Sequence, residues 1–170
     1  MRHETQVSEP SEVKAVANQM LDWADSDGIA VSPMKLQKLV YFNHADFIVA
    51  KSRPLIAQSF EAWEHGPVCP SLYAEFKRFK DRAITSRAEK FDPVSATKVI
   101  PLLNLGEEDQ EFVRERYDFY KKFSVIALSE LSHSRAGPWR YAKSLFANGL
   151  NPNRDISNDL IRDYHRLFDS

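Results

Sequence analysis

The 170-residue chain has little cysteine and little glycine, and each shortage excludes a class of protein. Its single cysteine, Cys69, rules out an intramolecular disulfide and is typical of a protein in a reducing cytoplasm. Its five glycines form neither a Gly-x-Gly-x-x-Gly pattern nor a Walker loop, so we expect no nucleotide cofactor. No run approaches the roughly 20 apolar residues of a membrane-spanning helix, and the polar stretch 1–11 lacks the apolar core of a signal peptide. These shortages predict a soluble, cytoplasmic protein with no membrane partner.

An excess of charge of one sign is also missing. The chain carries 23 basic and 24 acidic side chains, and its net charge of −1 gives no electrostatic reason to bind nucleic acid. None of its five histidines forms a close pair such as His-x-x-x-His, so we expect no metal. His44 lies among aromatic residues, which predicts a hydrogen-bonded histidine inside the core.

What the chain has in quantity is aromatic side chains. Its 11 Phe, 6 Tyr and 3 Trp, within a hydrophobic content of 43%, can fill the core of one domain of this length. We predict a flexible polar tail over residues 1–10 and a single globular domain over 11–170. The predicted fold class is mainly α, with about seven helices, a small antiparallel β element and a central hydrophobic helix.

Cap signals and helical spacing place the first two helices. Ser11 is the predicted N-cap of a helix that ends near Gly28. Ser32 and Pro33 predict the start of a helix over 34–51, which is apolar on nearly every side and is therefore expected to be buried by its neighbours. Five further helices are predicted around residues 72–79, 112–122, 125–131, 139–146 and 160–168.

Between these helices, two segments lack helical periodicity. The β-branched and aromatic residues over 55–64 predict one or two short strands, and Gly66 with Pro67 predicts a turn. Residues 81–105 are irregular and predict a long loop with one short strand around 97–100. A loop of this length in a compact domain is more often functional than neutral.

No catalytic group is predicted. Cys69 and His65 could form a nucleophile and its base, but two prolines flank the cysteine and no third group is near in sequence to orient the histidine. Glu61 and Glu64 point to opposite or offset sides of a predicted strand, so they do not form the carboxylate pair of a hydrolase. We therefore expect a protein that is not an enzyme.

Three ordered segments stand out from this background. They are Lys35-Leu36-Gln37-Lys38-Leu39-Val40-Tyr41-Phe42, then Ala62-Trp63-Glu64-His65-Gly66-Pro67-Val68, then Leu128-Ser129-Glu130-Leu131-Ser132-His133 with Pro138-Trp139. Together they resemble the Panacea domain, the SocA-like family of antitoxins and proteolytic adaptors. One departure is Ser132, which stands where the family pattern has threonine and keeps the hydroxyl.

The resemblance implies an antitoxin of a bacterial or phage toxin–antitoxin pair, which neutralises its cognate toxin by direct binding. The toxin is expected to be encoded next to it. A second possibility within the family is a proteolytic adaptor that delivers the toxin to an ATP-dependent protease. A third possibility, from another class, is a small hydrolase, which would need the fold to assemble Glu64, His65 and His133.

The candidate partner-binding residues are basic or aromatic, because charged surfaces speed association and aromatic side chains are frequent hot spots. They are Lys35, Lys38, Tyr73, Lys77, Arg78, Arg82, Arg87 and Tyr141. The alternative interpretation of the basic residues over 77–90 is a solvated helix face. We place the variable toxin-binding surface on the loop 81–105 and on the adjoining helix faces.

Overall fold

The structure, a computed structural model, describes residues 9–134 and 136–168. Within these ranges it contains seven α-helices: α1 Val13–Asp27, α2 Pro33–Lys51, α3 Pro70–Phe76, α4 Glu107–Tyr120, α5 Val125–Ser132, α6 Pro138–Ala147 and α7 Asn158–Tyr164. It also contains five short strands: β1 Phe60–Trp63, β2 Gly66–Val68, β3 Lys90–Asp92, β4 Thr97–Val99 and β5 Asp155–Ile156. The predicted class, mainly α with a small antiparallel β element, is confirmed. Of the predicted tail, residues 1–8 lie outside the described residues, and Glu9 and Pro10 are exposed.

Helix α2 is the central helix, as its sequence predicted. It begins where the Ser32 hydroxyl accepts a hydrogen bond from the backbone N–H of Lys35 at 3.3 Å, with Pro33 as the first helical residue. Thirteen of its 19 residues are buried, because α1, α3, α4, α5, α7 and β2 all pack on it. None of the described helices is long and apolar enough to span a bilayer.

His44 is a hydrogen-bonded core residue of α2, which confirms the prediction. Its Nδ1 accepts a hydrogen bond from the backbone N–H of Ile56 at 3.3 Å. The proton of the neutral ring must then lie on Nε2, which donates to Asn158 Oδ1 at 3.1 Å. Burial lowers the pKa of His44 to about 4, so the ring is neutral at physiological pH.

Strands β1, β2 and β5 form an antiparallel sheet in the order β2-β1-β5. The turn between β1 and β2 is formed by Glu64 and His65, and Trp63 pairs with Gly66 at its base. The predicted turn at Gly66 and Pro67 is therefore wrong, because these two residues open β2 instead. Strand β5 was not predicted, since two residues leave no periodic pattern in the sequence.

The predicted N-cap of α1 is also wrong. Glu12 occupies the cap position, and Ser11 lies one residue earlier in an extended segment. The backbone of Ser11 donates to the carbonyl of Leu55 at 2.8 Å and accepts from the N–H of Ala57 at 2.9 Å. This long-range pairing displaces the local capping role that serine alone would favour. The predicted end of the helix is confirmed, because Gly28 adopts the left-handed conformation there.

Residues 81–105 are more ordered than the predicted long loop. The part over 81–89, which we call the strap, is tied to the core: the N–H of Ile84 donates to the carbonyl of Val31 at 2.9 Å. The buried amide of Asn18 also donates to the carbonyl of Ala88 at 3.0 Å and accepts from its N–H at 2.8 Å. Beyond the strap, β3 and β4 form a hairpin. The strand predicted around 97–100 is confirmed as β4, whereas β3 was missed.

Candidate partner-binding site

The first two motifs are joined by Gln37, a buried residue of α2. Its Nε2 donates to the carbonyl of Cys69 at 3.1 Å, and its Oε1 accepts from the N–H of the same residue at 2.8 Å. The side chain therefore satisfies both backbone groups of the residue between β2 and α3. This pair of bonds fixes where α3 begins relative to α2.

Lys38 lies beside Gln37 and is completely buried. Its ammonium donates to the carbonyl of Pro67 at 3.1 Å, and burial lowers the pKa of Lys38 to about 8. Gly66 lies next to this ammonium, and its φ of +112° is one that residues with a side chain rarely adopt. A Cβ at Gly66 would also lie 2.6 Å from the hydroxyl of Ser132 and 2.7 Å from Lys38 Nζ. The motif glycine is therefore required both by its backbone and by its neighbours.

The third motif is hydrogen-bonded to the backbone of the β1–β2 hairpin. The indole N–H of Trp139 donates to the carbonyl of Trp63 at 2.8 Å, and the hydroxyl of Ser129 donates to the carbonyl of His65 at 3.4 Å. The ring of His133 stacks on Trp139 with centroids 3.9 Å apart. Burial, followed by the charge of Lys38, lowers the pKa of His133. All three motifs thus meet at this hairpin.

A groove of about 470 Å³ opens between the start of α2, the β1–β2 turn and α3. Its lining residues are Pro33, Met34, Gln37, Lys38, Trp63, Glu64, His65, Val68, Tyr73, Lys77 and Lys80. The rings of Trp63 and Tyr73 meet edge to face with centroids 5.0 Å apart. The groove is therefore built from the first two motifs on one side and from α3 with its 3₁₀ extension, Lys77–Phe79, on the other.

Comparison with known proteins agrees with this convergence of motifs. The family model described as "Antitoxin SocA-like, Panacea domain" matches residues 36–140. The chain belongs to this family. Antitoxin SocA of Caulobacter vibrioides (strain NA1000 / CB15N) is 36% identical over 167 residues, which cover 96% of this chain and 87% of that protein. No solved structure matches the chain significantly.

The Panacea motif lysines are directed into the fold. Lys38 belongs to the groove wall but is fully buried, and Lys35 donates from Nζ to the carbonyl of Lys121 at the end of α4, at 2.9 Å. Both arrangements favour a structural role for these two side chains. Of the other candidate partner-binding residues, Tyr73 and Lys77 line the groove and are exposed.

The remaining candidates are distributed over several surfaces. Arg87, in the strap, forms ion pairs of 2.7 and 2.5 Å with two aspartates of α1, and Arg78 donates to the hydroxyl of Ser86 at 2.7 Å. Both arginines therefore hold the strap in place. Arg82 is exposed. Tyr141 lies on α6, where it stacks on a tyrosine of α7 with centroids 4.5 Å apart. The structure thus does not bring the predicted set onto one surface.

The residues considered for catalysis are not linked into a catalytic arrangement. Within the described ranges, no hydrogen bond or ion pair joins the side chains of Glu64, His65 and His133. Cys69 is fully buried, and its thiol contacts only the hydroxyl of Ser71, at 3.4 Å, among the hydrogen bonds of the described residues. The same ranges hold no group of three or more His, Cys, Asp or Glu residues suited to a metal ion.

A buried ionic network on α2 was missed by the sequence analysis. Asp46 is completely buried and accepts hydrogen bonds from Arg116 Nε at 2.6 Å and from the hydroxyl of Tyr120 at 2.7 Å, while His165 Nε2 lies 2.6 Å away. The network joins α2 to α4 and to the segment after α7. An aspartate in the middle of a helix that was predicted to be buried on nearly every side was the available signal, because such a residue is rarely buried without partners.

Proposed function

We propose that the chain is an antitoxin that acts in the cytoplasm and neutralises a cognate toxin by direct protein–protein binding. Membership of the Antitoxin SocA-like family and the similarity to Antitoxin SocA support this role. The polar side chains of the motifs are engaged in holding backbone, as Gln37 holds Cys69 and Lys38 holds Pro67. We therefore infer a binding scaffold that performs no reaction of its own.

One observation carries the proposal that the toxin is bound directly. Four large apolar side chains are exposed on or beside the β3–β4 hairpin: Phe91 at 65%, Val94 at 94%, Ile100 at 51% and Leu102 at 84%. We call these four residues the hairpin patch. Clustered apolar side chains at the surface mark protein interaction sites more often than single ones do.

The pairing of the hairpin puts part of this patch on one face. Phe91 pairs with Lys98, so their side chains point to the same side of the hairpin. Ile100 is two residues beyond Lys98 and therefore continues that face. The strap supports the hairpin from the core through Asn18 and Ile84. The hairpin patch therefore offers the toxin a small apolar surface, and the strap anchors this surface to the core.

The structure also determines which variant tests the proposal. Deleting residues 82–92 would remove β3 and nearly all of the strap, including the buried side chains of Ile84 and Ala88. The substitutions Val94→Asp and Leu102→Asp change only exposed side chains. Leu150→Asp is a matched control, because Leu150 is 73% exposed and lies after α6.

The experiment is co-expression with the product of the neighbouring gene, scored by growth and by co-purification. If that product stops growth alone, we expect the unsubstituted chain and Leu150→Asp to restore growth and to co-purify with it. The double variant Val94→Asp/Leu102→Asp should fold normally but lose both effects. Normal neutralisation by the folded double variant would refute the hairpin patch as the toxin contact, and a harmless neighbour would refute the proposed pair.

A proteolytic adaptor is a second candidate, because it needs two surfaces and the chain has both the hairpin patch and the groove. An adaptor would lower the amount of toxin in the cell, and this effect would disappear in cells that lack the ATP-dependent protease. A direct neutraliser would leave the amount of toxin the same in both strains. Toxin immunoblots in the two strains therefore distinguish the two mechanisms.

A further inference from the structure

The groove beside α3 has an apolar wall that the described chain leaves uncovered. Met34 and Tyr73 are 39% and 46% exposed, and Trp63 packs edge to face on Tyr73. The groove volume of about 470 Å³ falls within the range of about 300–1,000 Å³ typical of sites that enclose small ligands. The groove therefore has room for a large apolar side chain and the groups next to it.

The polar part of the same groove is mainly basic. Its lining includes Lys38, Lys77 and Lys80, whereas Glu64 is the one carboxylate among the lining residues. In the described part of the chain, no ion pair involves Lys77 or Lys80, and both are exposed. Charge complementarity thus favours an anionic group.

Lys38 adds a second and independent indication. An ammonium group has three donors, but the carbonyl of Pro67 is the one acceptor that Lys38 has within the described residues. Buried charges normally have an ionic partner, and this side chain is completely buried without one. A carboxylate at the groove would supply the missing negative charge.

Helix α3 and its 3₁₀ extension contact both the groove and the strap that leads to the hairpin patch. Glu75 and Arg78, at the end of α3, contact the strap that leads to the hairpin, whereas Tyr73 and Lys77 line the groove. A stable protein interface involves about 20–30 residues on each side, which is more than the hairpin offers. We therefore expect a partner that binds the hairpin patch to extend over α3 to the groove.

We propose that the groove binds a segment of the toxin in which a large apolar side chain lies next to a carboxylate. This inference rests on the proposed function, since it names a second contact with the same toxin. The apolar side chain packs between Met34, Trp63 and Tyr73. The carboxylate lies at the lysine-rich side of the groove.

The ligand chemistry can be tested without the toxin. The probe is the peptide acetyl-Phe-Glu-amide, with acetyl-Phe-Gln-amide as the uncharged control, titrated into the ¹⁵N-labelled chain and followed by NMR. We expect amide shifts at the groove residues and an affinity for the acidic peptide higher by about two- to fivefold, as for other exposed ion pairs. High salt should remove the difference by screening. Equal affinities, or shifts located away from the groove, would overturn the proposal.

The occupant is tested with the full chain and the co-expressed toxin. Lys77→Glu and Tyr73→Ala change exposed groove residues, and Lys122→Glu reverses an exposed charge at the end of α4 as a control. We expect each groove variant to weaken toxin binding by about tenfold, in the range that interface residues give. The melting temperature should be unchanged for Lys77→Glu and slightly lowered for Tyr73→Ala, which loses its ring contact with Trp63. Lys122→Glu should bind the toxin like the unsubstituted chain.

The failures of the two proposals can be told apart. If the hairpin variants lose the toxin but the groove variants bind it normally, the toxin is not the occupant of the groove, and the proposed function stands. If groove variants bind the toxin but lose a protease, the groove belongs to the protease, and this inference is refuted. If the unsubstituted chain does not bind the toxin, the proposed function fails and the toxin occupant fails with it.

Discussion

Lys38 should make the stability of this protein increase at alkaline pH. Burial lowers the pKa of Lys38 from 10.5 to about 8 in the folded chain, because the protein interior disfavours the charged form. Between these two pH values the unfolded chain binds a proton that the folded chain does not. The free energy of unfolding therefore rises with pH across this window.

The size of the effect follows from the two pKa values. Proton linkage gives an increase of about 2 kcal/mol between about pH 7 and about pH 9.5. Lys38→Met keeps the apolar stem and removes the ammonium, so the variant should lose this increase. Burial raises the pKa of Tyr41 and of Tyr120, which lowers stability only as the pH rises above about 10. Both proteins share that loss, so their difference reports Lys38 alone.

The assay is urea unfolding followed by circular dichroism at several pH values and constant ionic strength. Lys122→Met is the control, because it also removes a lysine ammonium but from a side chain that is exposed to solvent. The control should keep the alkaline increase of the unsubstituted chain. If Lys38→Met shows the same increase as that chain, the ammonium is hydrated in solution, and the inference of a buried unpaired charge is wrong.

Three further substitutions test the packing of the site and of the core. Gly66→Ala should lower the free energy of unfolding by about 2–5 kcal/mol, because it combines a strained φ with a Cβ that meets Lys38; a loss below about 1 kcal/mol in urea would mean that the hairpin adapts. Asp46→Asn should cost about 3–5 kcal/mol by leaving Arg116 without its carboxylate, whereas Tyr120→Phe should cost only about 1–2 kcal/mol. Equal losses for these two variants in thermal unfolding would show that the charge of the aspartate is unimportant.

The helices could be predicted from the sequence where their signals are local. Ser32 was predicted to begin a helix, and its hydroxyl accepts a hydrogen bond from the backbone N–H three residues later. Ser124 and Ser157 cap α5 and α7 in the same way. A cap needs only the residues of one turn, so the pattern is complete within the sequence. The burial of α2 could be predicted for a similar reason, because it follows from the spacing of apolar side chains along one helix.

The errors concern residues whose structure is decided by distant partners. Ser11 has the chemistry of a cap, yet its backbone pairs with the segment around Ile56. Gly66 has the composition of a turn, yet it is needed where Lys38 and Ser132 approach the backbone. The network around Asp46 joins residues up to 119 positions apart, so no local pattern indicates it.

Variants of the buried and of the exposed residues of the candidate site must be interpreted differently. Lys38 and Gly66 belong to the motif that identifies the family, and both are buried in contacts that stabilise the hairpin. Gly66→Ala will reduce toxin neutralisation by destabilising the hairpin, whether or not the groove binds the toxin, and substitution of Lys38 changes the pH dependence of stability. Tyr73 and Lys77 lie outside the motif and expose their side chains in the groove. Loss of toxin binding by a folded variant of either residue therefore reports contact with the partner, and Lys77, which lacks the ring contact of Tyr73 with Trp63, gives the clearer result.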